Sequence, residues 1–266
     1  MTDVERYRLF EELKEVGGEK TIVALTPLLD VIWTHDPNVS DAVRTLQVLG
    51  KRNPQLILDI VYQGTDDQGS NAVKVLRDMG IDEFERIRML IGLYVEGKKR
   101  GGVLIDAEYA VKDLIKGREN DPRIMALIKE TYEKADSYGK YCLLGFLELI
   151  PGIDAEQLLA RELSNDDRNI RQRAARWLQF RRIEDLATKE ALWKMAETEI
   201  DQDVVAQLLG TMLEQGLISR KDCSYEGRKS TTNDGRGEKR KIRLFRSEEL
   251  GCTLSRGSPV GKEQRN

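Results

Sequence analysis

Histidine and cysteine, which supply most metal ligands and many nucleophiles, are scarce in this chain. Its 266 residues include one histidine, His35, and three cysteines, Cys142, Cys223 and Cys252. A single histidine leaves no basis for a His-rich metal site or for histidine-based catalysis, and no Cys/His spacing typical of zinc is present. Because the cysteines are few, odd in number and widely separated, they argue against a disulfide framework and fit a reducing compartment.

Sequence motifs that bind phosphates or catalyse acyl transfer are also missing. There is no Walker A pattern, no GxGxxG and no GxSxG, so we expect neither enzymatic activity nor a cofactor. The longest apolar stretches, residues 22–25 and 141–147, are far shorter than the roughly 20 residues that span a bilayer. Residues 1–5 are acidic and lack the basic start of a signal peptide. These features predict a cytoplasmic protein without a membrane segment.

Helical spacing of apolar residues fills the first 219 positions, whereas alternating strand patterns are absent. Leu143, Leu144, Leu147 and Ile150 illustrate the helical spacing. About twelve or thirteen helices of ordinary length fit this region. Helix starts are predicted at Thr or Asx residues before proline and at capping-box pairs: Thr26-Pro27, Asp36-Pro37, Asn53-Pro54, Asp121-Pro122, Thr2/Glu5, Asp82/Glu85 and Asp154/Gln157.

One helix-opening unit recurs along the chain. An Asp is followed three residues later by Val or Ile and, four residues after that, by another apolar residue, in segments starting at Asp36, Asp121, Asp167 and Asp201. Each Asp is suited to capping a helix whose apolar stripe begins directly after it. Recurrence of the unit predicts stacked antiparallel helix pairs, because no single pair buries its own apolar face. The predicted fold is an all-α solenoid.

The segment Asp167–Leu178 resembles the second helix of a HEAT repeat. The shared features are an Asp at the turn before the helix, an apolar residue followed directly by Arg (Ile170-Arg171), and two adjacent alanines (Ala174-Ala175). The segments 36–50 and 201–210 are similar but less regular. The resemblance to this armadillo-type family covers parts of residues 20–216. It implies structural roles for Asp167 and Arg171, which in that family commonly bridge neighbouring repeats.

The densest basic cluster of the helical region also lies here and comprises Arg168, Arg171, Arg173, Arg176, Arg181 and Arg182. Arg173 and Arg176 share one flank of a helix beside the stripe that ends in Trp177, for which packing is the expected role. These two arginines are candidate partner-binding residues for phosphates or an acidic protein. Alternatively, the cluster is neutralised within the stack by Asp166, Asp167, Glu184 and Asp185.

Charge and composition change at residue 220. Residues 220–266 hold 13 Lys/Arg and 7 Asp/Glu, which leaves 30 basic and 39 acidic residues in 1–219. We therefore predict a helical domain over 1–219 and a basic, disordered tail over 220–266. The tail's candidate binding residues for nucleic acid or an acidic protein are Lys239, Arg240, Lys241 and Arg243. A passive solvated tail is the alternative.

The first function hypothesis is a non-enzymatic scaffold or adaptor that binds a protein partner through its helical-repeat surface. The second is a nucleic-acid-binding protein that uses the Arg-rich helix and the basic tail. A third follows from the resemblance, because some HEAT-like proteins are DNA glycosylases or bilin lyases. No motif of either enzyme group is recognised here.

Overall fold

The computed structural model describes residues 3–30, 37–96, 101–219, 223–224 and 243–244. These residues form thirteen α-helices, two short 3₁₀ helices and one pair of two-residue strands, which confirms the all-α class. The α-helices are α1 Asp3–Val16, α2 Glu19–Leu25, α3 Pro37–Gly50, α4 Pro54–Gln63, α5 Asp66–Asp78, α6 Glu83–Glu96, α7 Gly102–Ile115, α8 Pro122–Lys134, α9 Ser137–Leu144, α10 Ile153–Glu162, α11 Arg168–Gln179, α12 Leu186–Thr198 and α13 Gln202–Glu214. The 3₁₀ helices are Thr26–Asp30 and Gly145–Glu148.

The recurring Asp caps a helix in each of the three described repeats of the unit. The carboxylate of Asp121 accepts the N–H of Arg123 at 3.0 Å, that of Asp167 accepts Asn169 N–H at 2.8 Å, and that of Asp201 accepts Asp203 N–H at 3.0 Å. The apolar residue that follows each cap is at most 1% exposed. Asp36 and His35 lie outside the described residues, although α3 begins at Pro37 as predicted. The Asp residues at 121, 167 and 201 therefore mark true helix starts.

Two predicted helix starts are wrong. Helix α10 begins at Ile153 after Gly152, whose φ of 99° is a left-handed conformation favoured by glycine. Asp154 therefore lies inside the first turn, and its carboxylate pairs with Lys129 instead of capping. Thr26 closes α2 by donating its hydroxyl to the Ile22 carbonyl at 2.9 Å, and the following residues form a 3₁₀ helix rather than an α-helix. The predicted cap Thr2 lies outside the described residues.

The helices stack in sequence order. One row contains α1, α3, α5 and α7, and continues through the second 3₁₀ helix to α11 and α13. On the other side α6 packs on α8 and α10 packs on α12, while α4–α5, α6–α7, α10–α11 and α12–α13 contact across the rows. A single apolar core runs between the rows from Phe10 to Ile218. This arrangement is the predicted solenoid of helix pairs.

A buried ion pair joins two neighbouring turns of the stack. Arg171 of α11 donates to both carboxylate oxygens of Glu199, at 2.6 and 3.0 Å, and to the carbonyls of Asn165 and Asp166, each at 2.9 Å. The side chains of Arg171 and Glu199 are 14% and 2% exposed. Arg171 thus connects the turn before α11 to the turn between α12 and α13, a structural role like the one that the HEAT resemblance implies.

The described part of the tail is the antiparallel pair of β1 (Cys223–Ser224) and β2 (Arg243–Leu244), in which β2 lies against α12. The predicted disorder of 220–266 concerns residues that, apart from these four, lie outside the described part. Lys239, Arg240 and Lys241 are among them. Within the described ranges, no helix combines the length and the apolar character needed to cross a membrane.

Candidate binding surface

Aromatic and cationic side chains from α7, α9 and α11, some exposed and some half-buried, collect on one face of the stack. Arg176 and Phe180 lie on the outward side of α11 and its end, and Arg173 and Trp177 lie on the flank that faces α7 and α9. This division follows from the helical period, because Ala174 and Leu178 turn the opposite side into the core. We call Tyr141, Arg173, Arg176, Trp177 and Phe180 the α11 surface.

Arg173 is held tightly at the inner edge of the α11 surface. Its guanidinium pairs with Glu108 of α7 at 3.2 Å and lies 4.1 Å from the ring centroid of Tyr141 of α9. The side chain is only 12% exposed. A Cβ at Gly145 would meet the ends of the Arg173 and Glu108 side chains, so glycine there leaves room for this ion pair. Arg173, a predicted binding residue, is thus a link between three elements with little of its side chain open to a partner.

Arg176, the other predicted binding residue of this helix, is exposed and lies over the ring of Trp177. Its guanidinium carbon is 5.6 Å from the indole centroid, and the Nζ of Lys112 is 5.8 Å from the same centroid. The Phe180 ring packs beside the indole at 6.1 Å with a tilt of 52°. Cation–π contacts of this kind orient the cation without neutralising it.

The charges around Trp177 do not cancel. Lys112 is 3.1 Å from Glu108 and 3.1 Å from Glu148, so one lysine forms ion pairs with two carboxylates. Glu108 also forms an ion pair with Arg173. Arg176 makes no ion pair with any described residue. Three cations therefore face two carboxylates, and Arg176 is the cation left open to a partner.

Two N–H donors of the α11 surface are buried and unpaired. Neither Nε of Arg173 nor Nε1 of Trp177 has a hydrogen-bond acceptor among the described residues. Buried polar groups are nearly always paired, because an unmade hydrogen bond costs about 1–3 kcal/mol. Because both donor atoms are buried, they lie beneath the surface and are not contacts that a partner reaches.

The remaining arginines of the cluster have partners within the stack. Their contacts are Arg168 with Asp201 at 3.0 Å, Arg171 with Glu199 at 2.6 Å and Arg182 with Glu184 at 3.6 Å. Arg181 donates to the carbonyls of Leu147 and Ile150, and burial lowers its pKa. Of the four acids considered from sequence, only Glu184 pairs with an arginine side chain here. The other partners come from distant helices and turns.

A hollow of about 430 Å³ adjoins the α11 surface at Phe180. The connections α9–α10 and α11–α12 form its walls, with Leu149, Ile150, Pro151 and Phe180 among the apolar residues of the lining. The charged residues of the lining are Glu148, Glu156, Arg181, Arg182 and Glu184. Ile153, also in the lining, is 52% exposed, and nearby Leu186 is 73% exposed. Large apolar side chains are thus exposed around a concave site.

Buried Glu156 shapes one wall of this hollow. Its carboxylate accepts the backbone N–H of Asp185 at 3.1 Å and of Glu184 at 3.5 Å. Asp185 in turn caps α12 by accepting the N–H of Thr188 at 3.1 Å. The connection α11–α12 is therefore fixed by polar contacts rather than by apolar packing alone.

Among the described residues, no three His, Cys, Asp or Glu side chains are grouped so that they could hold a metal ion. Cys142 is buried in α9, as its apolar surroundings predict. Sequence reasoning selected Arg173 and Arg176 as binding residues and expected Trp177 to pack, but it missed Glu108, Tyr141 and Phe180. Helical spacing identifies the exposed position of Phe180, whereas no local signal connects Glu108 to α11.

Fold and surface together define an all-α stack of helix pairs with one aromatic and cationic face. No protein-family model matches the chain, and no curated protein is significantly similar to it.

Proposed function

We propose that this chain is a non-enzymatic scaffold of the HEAT-like type, cytoplasmic in location, that binds a protein partner through the α11 surface. The observation that carries the proposal is the exposure of Phe180 close to Arg176, which makes no ion pair with a described residue, together with two further exposed tyrosines on α7 and α9. Phe180 is 67% exposed, and Tyr109 of α7 and Tyr138 of α9 are 66% and 39% exposed. Aromatic residues and arginine dominate the energetics of protein interfaces.

The packing behind this face favours recognition at low entropic cost. Trp177 is partly buried against the core and is flanked by Lys112, Arg176 and Phe180. A side chain that is already ordered loses little freedom when a partner binds.

Nucleic-acid binding is the second candidate function, and Arg176 with the basic tail is its support. The ion pairs of Arg168, Arg171, Arg173 and Arg182 count against it, because these cations are already neutralised. The formal charge of −9 over residues 1–219 also repels phosphates. Binding to nucleic acid predicts an affinity that falls steeply as salt rises.

The test is affinity capture from a native lysate with the full chain, with and without nuclease. The informative variant is Arg176→Ala with Phe180→Ala. Its matched control is Tyr7→Ala with Arg8→Ala, which removes an exposed aromatic residue and an exposed arginine from α1. We expect a stoichiometric protein that survives nuclease and whose affinity falls about tenfold or more with the α11 variant alone, as for loss of an interface hot spot.

Two results would contradict the proposal. If both double variants capture the partner as well as the wild-type chain does, the α11 surface is not the contact. If capture disappears with nuclease, the chain binds nucleic acid, and its retention should then fall with salt.

A further inference from the structure

The outward side of α11 carries a row of three side chains spaced four residues apart. Gln172 is half-buried, whereas Arg176 and Phe180 are exposed. Residues four apart on a helix are neighbours, with Cβ atoms about 5–6 Å from each other. Such rows are the ridges that fit between the side chains of a second helix. The row therefore presents one cation and one aromatic ring to a partner helix, a single turn apart.

No carboxylate of α11 is placed to neutralise Arg176. On a helix, ion pairs form with the residues three or four positions before and after. The residues at these positions are Gln172, Arg173, Gln179 and Phe180. The exposed Arg8 of α1 differs, because Glu12 lies four residues after it at 3.3 Å. Arg176 thus keeps its charge available for a carboxylate of another chain.

The contacts on either side of the row leave Arg176 as it is. On the α7 side, the ion pairs are Lys112 with Glu108 and Glu148, and Arg173 with Glu108. On the α13 side the contact is neutral, since Gln207 donates its side-chain amide to Gln179 at 2.8 Å. Among the described residues, the charge that remains open on this row is therefore positive.

A carboxylate suits this arrangement better than a chain of phosphates does. Binding to a phosphate backbone depends on many cations that act together. Here one arginine is open, and the carboxylates of Glu108 and Glu148 beside Lys112 disfavour a second phosphate. A single carboxylate needs only one guanidinium, with which it forms two parallel hydrogen bonds. Phe180 supplies the apolar surface for a neighbouring side chain.

We propose that the α11 surface recognises an acidic amphipathic helix of its partner, an inference that rests on the function proposed above. A carboxylate of that helix binds the guanidinium of Arg176. A large apolar side chain three or four residues away from the carboxylate packs on Phe180 and Trp177. Helices that dock on a surface commonly place their anchor residues at this spacing.

The probe for this specificity is a random peptide library displayed on phage, with peptides of about 16 residues, or about four helical turns. Peptides that bind the Phe180→Ala chain are removed first, and the remaining peptides are selected on the wild-type chain. This depletion keeps peptides that need Phe180 but favours neither sign of charge. We expect the selected peptides to carry Asp or Glu three or four residues from a large apolar residue more often than the unselected library does.

Charge exchange then tests the contact with Arg176, with affinities measured by fluorescence anisotropy. Arg176→Glu should weaken binding of a selected peptide about tenfold or more, as for loss of an interface hot spot. Replacing the acidic residue of the peptide by lysine should recover much of this loss for Arg176→Glu and should weaken binding to the wild-type chain. The matched control, Arg8→Glu, changes an exposed arginine of α1 and should bind the original peptide like wild type.

Selected peptides without the acidic and apolar pair would overturn the inference, and so would equal affinities for wild type and Arg176→Glu. Binding of a labelled single-stranded DNA that is tighter than that of the peptides and is lost in Arg176→Glu would also overturn it, because the arginine would then bind phosphate.

Failure of this inference is distinguishable from failure of the proposed function. If the lysate yields a partner that depends on Arg176 and Phe180 but the selected peptides are not acidic, the function stands and the specificity is wrong. If acidic peptides bind as expected but no captured protein depends on these two residues, the specificity is supported and the proposed function fails.

Discussion

Replacing Glu199 by glutamine tests the ion pair that joins the turn before α11 to the turn after α12. The change keeps the shape of the side chain but removes the charge that faces Arg171. Glu199 accepts hydrogen bonds from Arg171 at 2.6 and 3.0 Å, and from the amides of Ile200 and Asp201 at 3.0 Å each. Because the carboxylate side chain is 2% exposed, water does not replace these partners.

The expected loss in free energy of unfolding is about 3 kcal/mol. Removing one partner of a buried ion pair typically costs about 3–5 kcal/mol, since the other charge stays buried without compensation. The lower end applies here because Arg171 keeps the carbonyls of Asn165 and Asp166 as acceptors. The glutamine oxygen also remains able to accept one hydrogen bond from the guanidinium.

The assay is urea unfolding followed by far-UV circular dichroism at neutral pH. A urea dependence of about 1–3 kcal/mol per molar predicts a midpoint that falls by about 1 M or more. The matched control is Glu12→Gln, whose ion pair with Arg8 has side chains 64% and 82% exposed, and for which we expect no measurable change.

The same pair predicts a pH dependence. Burial acts to raise the pKa of Glu199, but the hydrogen bonds from Arg171 and from the amides of Asp201 and Ile200 outweigh it, so the pKa lies below the ordinary value of 4.5. Stabilisation by a carboxylate with a lowered pKa is complete above pH 4.5 and is lost as pH falls through the lowered value. The difference between wild type and Glu199→Gln should therefore be full at neutral pH and shrink in acid. A Glu199→Gln chain within about 0.5 kcal/mol of wild type at neutral pH would refute the reasoning.

Two further pairs of substitutions probe local packing and capping. Gly139→Ala should destabilise the chain by about 1–3 kcal/mol, because the added Cβ would lie 2.4 Å from the Tyr94 carbonyl oxygen. Gly92→Ala, where a Cβ meets nothing within 4 Å, should instead stabilise α6 by about 0.5–1 kcal/mol; equal urea midpoints for the two would contradict this contrast. Thr65→Val should cost about 1 kcal/mol, since it removes the hydroxyl that accepts Gln68 N–H at 3.2 Å and donates to Asp30 at 2.6 Å. Thr65→Ser keeps both bonds and should unfold at the wild-type midpoint, and a loss as large as that of the valine variant would argue against the cap.

Local signals were sufficient wherever a contact closes within a few residues. Asp121, Asp167 and Asp201 cap their helices because a short carboxylate reaches N–H groups two or three residues ahead, and neighbours along the chain are enough to satisfy it. The capping box of Thr65 and Gln68 is equally local, and its Thr-x-x-Gln spacing is the same kind of signal as the capping-box pairs used in the sequence analysis, which did not include it. The Asp154/Gln157 signal failed because Gly152 starts α10 earlier, which leaves Asp154 no helix start to cap.

The amino-acid sequence alone therefore determined the helical class, several helix starts and the burial of residues such as Cys142, because periodicity and capping act over one turn. Only the tertiary structure decided which arginines form ion pairs and which remain exposed to a partner. Arg173 pairs with Glu108, 65 residues away, and Arg171 pairs with Glu199, 28 residues away. Neighbouring Arg176 has no such partner within the part of the chain that the structure describes. The physical reason is that an ion pair needs its charges within about 4 Å, and only the packing of distant helices brings them together.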